Sequence, residues 1–77
     1  MKRVEKNILE ALAASDSWVS FLVLPDGNGR RGGANMKVLR AMIAASLVTE
    51  GKSVIVFAGG GDGYKITDAG REALASA

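Results

Sequence analysis

The chain has 77 residues, ten of them glycine, with one proline and neither cysteine nor histidine. Without Cys there is no disulfide framework, thiolate metal site or thiol nucleophile. Without His the commonest general base and metal ligand are missing, so a hydrolytic triad or an ordinary zinc site is excluded, and neither an enzyme nor a cofactor is expected.

Hydrophobic residues make up 48% of the chain, enough for one small domain over 1–77 to fold. A domain of this size buries only about 60% of the surface its unfolded chain exposes. Apolar runs such as Phe21–Leu24 and Val54–Ala58 fall far short of the roughly 18 residues of a membrane span. The start, Met1 to Asn7, lacks the apolar stretch of a signal peptide. A cytoplasmic protein with no membrane partner is expected.

Arg3 to Ala14 reads as a helix, because Val4, Ile8, Ala11 and Leu12 recur at helical spacing. Ser15-Asp16-Ser17 breaks the pattern and offers caps for the next segment. Trp18 to Leu24 suits either a helix face or a buried strand. The preceding caps and the following Pro25 favour a short helix, with Trp18 and Phe21 in the core. Pro25 to Gly33 is a glycine-rich loop, and a β-hairpin through Asp26-Gly27 or Asn28-Gly29 is its competing reading.

Asn35 is a good N-cap for a helix running to about Ser46. Met36, Leu39, Ile43 and Leu47 define its inner face, and Lys37, Arg40, Ala41 and Ala44 its outer one. Thr49 to Lys52 reads as a turn, Val54 to Ala58 as a strand, and Gly59 to Gly63 as a hairpin tip. Tyr64-Lys65-Ile66 is the returning strand, with Tyr64 and Ile66 on one face and Lys65 on the other. Thr67 caps a last helix from Asp68 to about Ala75. Its alanines, Ala69, Ala73, Ala75 and Ala77, suit close helix pairing in a homodimer, and core packing accounts for Ala69 and Ala73 equally well.

The net charge of +2 hides an asymmetry. From Gly27 to Thr49 there is no acid, while Arg30, Arg31, Lys37 and Arg40 contribute +4. The remainder holds six basic and eight acidic residues. A cation-only loop and helix is the footprint expected for a polyanion.

The segment Tyr64-Lys65-Ile66-Thr67-Asp68-Ala69-Gly70-Arg71-Glu72-Ala73-Leu74 resembles the ending of the winged helix-turn-helix superfamily of bacterial and phage regulators. There the second wing strand passes through a Thr cap into the last helix. Val38 to Val48 resembles the superfamily's third helix and its exit towards the wing. The resemblance implies an α+β winged helix. Such a fold has a three-helix core, a two-stranded β-hairpin wing and a short C-terminal helix.

It also implies that the helix 35–46 is presented to double-stranded DNA. Arg40 would then read guanine, and Asn35 would read adenine or bond a phosphate if it does more than cap its helix. Lys37, Ala41, Ala44 and Lys65 complete the expected DNA-binding set, with Arg30 and Arg31 on phosphates. Four such cations are a small footprint, so a dimer on two half-sites is the more effective form.

The wing tip carries Asp62 and no Lys or Arg, and the loop before Asn35 is long. These features support the alternative, a winged-helix module that binds and modulates a host protein. Two other motifs fail. Gly59 to Gly63 is followed by too little chain for a dinucleotide-binding βαβ unit. Asp26 to Lys37 puts Arg30 and Arg31 where a calcium loop needs a ligand and a glycine.

Overall fold

The computed structural model describes residues 1–15, 18–52 and 62–76. Helix α1, Arg3–Ala13, opens with the Glu5 carboxylate accepting from the Lys2 N–H at 3.0 Å. It is followed by β1 (Val19–Ser20), a single 3₁₀ turn (Phe21–Val23), α2 (Met36–Ala44), β2 (Val48–Lys52), β3 (Asp62–Ile66) and α3 (Asp68–Ser76). The described residues thus form a small α+β unit with three α-helices and a three-stranded antiparallel sheet in the order β1-β3-β2.

α1, α2 and α3 lie within two residues of the expected spans. Three other expectations are corrected. The helix favoured for Trp18–Leu24 is replaced by β1 and the 3₁₀ turn, because the backbone of Val19 and Ser20 pairs with Tyr64 and Gly63 of β3. The Ser20 hydroxyl then caps the 3₁₀ turn, accepting from the Leu22 N–H at 3.2 Å. The expected core of three helices before the hairpin therefore has only two, α1 and α2.

The turn expected at Thr49–Lys52 is strand. The ladder starts at Val48↔Ile66 and continues through Thr49↔Lys65, Glu50↔Tyr64 and Gly51↔Gly63 to Lys52↔Asp62. It starts this early because the Thr67 N–H donates to the Leu47 carbonyl at 3.1 Å, joining the end of β3 to the entry of β2. The two-stranded wing becomes a three-stranded sheet because β1 adds to the far side of β3. The expected strand Val54–Ala58 and the tip residues Gly59–Gly61 lie outside the described residues.

The core is built from Ile8, Leu9 and Leu12 of α1, Leu39 and Met42 of α2, Val48 and Tyr64 of the sheet, and Leu24 just after the 3₁₀ turn. Each fully buried aliphatic of this kind contributes about 1.5–3 kcal/mol of hydrophobic transfer. Ile43, Met36 and Leu47, expected on the inner face of α2, are half-buried around this centre. Met42 carries the burial beside Leu39.

The termini of α2 are both satisfied. The Asn35 side chain accepts from the Lys37 N–H at 2.8 Å. At the other end Ser46 takes φ +63°, its N–H reaching the Ile43 carbonyl, while the Leu47 N–H reaches that of Met42. This is a Schellman C-cap with serine where glycine is usual. Thr67 closes the unit, its hydroxyl donating to the Ser46 carbonyl at 2.6 Å and accepting from the Gly70 N–H at 2.9 Å.

Candidate nucleic-acid interface

Lys37, Arg40, Ala41 and Ala44 sit at i, i+3, i+4 and i+7 on α2, and all four are exposed. That spacing is one helix face, and it carries two cations, two small residues and no acid. Asn35 lies just ahead of it with its side-chain oxygen committed to the cap.

The loop before α2 is built rather than slack. The hairpin alternative is realised in miniature, with one antiparallel bridge between Pro25 and Arg31 and the Asp26 N–H donating to the Arg30 carbonyl at 3.0 Å. Gly29, at φ +80°, turns the chain, and its N–H donates to the Asp26 carbonyl. Asn7 of α1 pins the tip, donating to the carbonyls of Asp26 and Gly27 at 3.1 and 3.2 Å.

The Asp26 carboxylate accepts from the N–H groups of Asn28 and Arg30, both at 2.8 Å. Its pKa is held below the ordinary carboxylate value chiefly by the Arg30 N–H; desolvation, next in size, opposes this, and the Asn28 N–H and the Arg30 charge add to the lowering.

The two acids that bound the cation-only stretch in sequence thus return to it in space. Asp26 lies close enough to feel the Arg30 charge. Glu50 and Arg40 line one groove, together with Met36, Ile43 and Tyr64, where α2 meets β2 and β3.

The expected site residues fall into separate places. Lys37, Arg40, Ala41 and Ala44 come together on α2, with Arg30 on the loop leading to it. Arg31 lines a cleft with Ala11, Ala14 and Trp18, on the side of α1 and β1. The Lys65 ammonium lies 5.3 Å from the centre of the Trp18 ring.

Trp18 itself is 47% exposed, and Phe21 half-buried, correcting the expectation that the pair lies in the core. The reason is a strip of two glycines. Gly51 and Gly63 face each other across β2 and β3, and the indole packs where their side chains would stand. The signal in the sequence was the presence of glycine in both strands, but only the register shows that they align.

No family model, curated protein or solved structure matches this chain. Among the described residues no helix is long and apolar enough to cross a membrane, and no group of three His, Cys, Asp or Glu side chains converges on a metal-sized site.

Proposed function

We propose that the protein is a small cytoplasmic DNA-binding regulator of winged-helix type, presenting the outer face of α2 to duplex DNA. The observation that carries the reading is the exposed quartet Lys37, Arg40, Ala41 and Ala44 on one face of a capped helix. In the major groove the two alanines allow close approach, Arg40 offers a bidentate donor pair to guanine, and Lys37 meets a phosphate. Arg30 adds a phosphate contact from the loop.

The β2–β3 hairpin acts as the wing, and the Thr67-capped entry into α3 carries the resemblance to the superfamily. A homodimer would place two such helices about 34–36 Å apart on successive half-sites. Arg40→Glu is the direct test. Duplex affinity at low salt falls by about tenfold or more if the helix face carries binding, and an unchanged affinity overturns the reading.

A second reading, a module that binds a host protein, is favoured by Asp26 beside Arg30 and by Glu50 lining the same groove as Arg40. Mixed charge suits a protein surface better than a phosphate backbone. It predicts weak duplex affinity that Arg40→Glu leaves unaltered.

A further inference from the structure

The cleft between the end of α1 and the edge strand β1 has a volume of ≈ 370 Å³, within the range of small ligand and side-chain pockets. It is lined by Ala11 of α1, the C-cap Ala14, Ser15, Trp18, Val19 and Ser20 of β1, and Val23, with Arg31 as the one charged residue among the described lining residues. Ala11 and Ala14 are small, which keeps the cleft open. Trp18 is held in place from below by the Gly51–Gly63 strip and flanked by Lys65. Leu22, next to Val23 in the 3₁₀ turn, is 76% exposed.

The backbone that carries Arg31 is well anchored. Arg31 bridges to Pro25, and the loop that carries it is tied to α1 through Asn7. A cleft that pairs small aliphatic residues and an indole with two serines and an arginine fits an apolar anchor with a carboxylate next to it. The next hollow along holds Lys65 and Arg71 with a single acid, Asp68. Among the described residues, cations therefore predominate around Trp18.

We propose that this cleft docks an acidic peptide segment of a partner protein, which seats a bulky apolar side chain against Trp18 and places a carboxylate on the Arg31 guanidinium. This goes beyond the duplex reading. The cleft lies by edge strand β1, the Arg40 groove by the opposite edge strand β2, and they share no lining residue, so either can fail alone. A bidentate guanidinium–carboxylate pair fixes the register of the segment, and the apolar anchor supplies most of the affinity.

The test uses the full chain, ¹⁵N-labelled, titrated with the acetylated, amidated hexapeptide Glu-Asp-Leu-Phe-Glu-Asp. Two controls replace its acids by lysine or its Leu-Phe by Ser-Ser. Trp18 is the one tryptophan in the chain, so its emission reports the cleft directly. The expected result is saturable binding of the acidic peptide, with amide shifts centred on Ala11, Ala14, Val19 and Val23 and a change in Trp18 emission. Both controls bind at least about tenfold more weakly. Arg31→Glu weakens the acidic peptide by a similar factor while Arg40→Glu leaves it unchanged. Arg31→Ser serves as the second variant, with a smaller loss.

Equal affinity for the lysine peptide overturns the proposal, as does a lack of saturation at about 1 mM, a far weaker interaction than specific docking gives. Shifts mapping to Lys37–Ala44 overturn it too. Cleft resonances that move on simple dilution of the protein show that a second copy occupies the site, and also overturn it.

Discussion

Trp18 lies so close over Gly51 that a Cβ added to the glycine would stand 2.5 Å from the indole Cη2. A Cβ added to Gly63, the cross-strand partner of Gly51, would stand at the same distance from the Trp18 Cβ. Gly51→Ala is therefore expected to lift the indole off the sheet and destabilise the protein by about 1–3 kcal/mol, outweighing the smaller gain from a stiffer unfolded chain. Chemical denaturation gives the loss, and a red shift of the native tryptophan emission shows its cause.

Ser46 offers the opposite case. It holds φ +63° at the C-cap of α2, in the region where a side chain costs roughly 1–2 kcal/mol. Ser46→Gly relieves that cost and gives back part of it through the greater freedom of glycine in the unfolded chain, for a net gain of about 0.5–1 kcal/mol. The Thr67 bond is to the Ser46 backbone carbonyl, so it survives the substitution. A higher denaturation midpoint with an unaltered slope is the expected readout.

Thr67 joins two elements with one hydroxyl, accepting from the Gly70 N–H and donating to the Ser46 carbonyl. Thr67→Ala removes both bonds and costs about 1–2 kcal/mol. Thr67→Ser keeps the hydroxyl and recovers most of the loss. Hydrogen exchange at the Gly70 amide separates the two variants, speeding up only in the alanine one.

Asp26 organises the loop as a carboxylate. Its pKa is lowered in the folded state, so its contribution is present above the ordinary carboxylate range and is lost as pH falls through the lowered value. The amides of Asn28 and Arg30 are expected to lose their downfield shifts over that acidic window. In Asp26→Ala they lack those shifts at neutral pH as well, and the wild type converges on the variant as the pH falls.

The duplex reading also carries a salt signature. Each cation on a phosphate adds about −0.9 to the slope of log affinity against log salt. Lys37→Ala is expected to reduce the slope by about one. Arg31→Ala and Lys65→Ala leave it unaltered, because the structure sets both residues around Trp18. A slope indifferent to Lys37 counts against α2 as the contact face.

Much was legible in the residues themselves. The 3.6-residue spacing of Ile8 and Leu12, the Asn35 and Thr67 caps and the short Tyr64–Ile66 strand mark out α1, α2, β3 and α3 within two residues. These are local features, decided by backbone hydrogen bonding and side-chain periodicity inside one turn or strand. The outer face of α2 was equally readable, because a helix with Leu39 and Met42 in the core must turn Lys37, Arg40, Ala41 and Ala44 outward.

What only the tertiary structure decided is who lies beside whom. Val19 and Ser20 became a strand because β3 had an open edge, against a local pattern that suited a helix equally well. Trp18 stayed at the surface because two glycines far along the chain align opposite one another and leave room for it. The +4 of Gly27–Thr49 is a property of the chain, but Asp26 beside Arg30 and Glu50 in the Arg40 groove are properties of the fold. Charge along a sequence is additive. Charge on a surface depends on distance, and distance is set by the packing of α2 on β2 and the hairpin that carries Arg30 and Arg31.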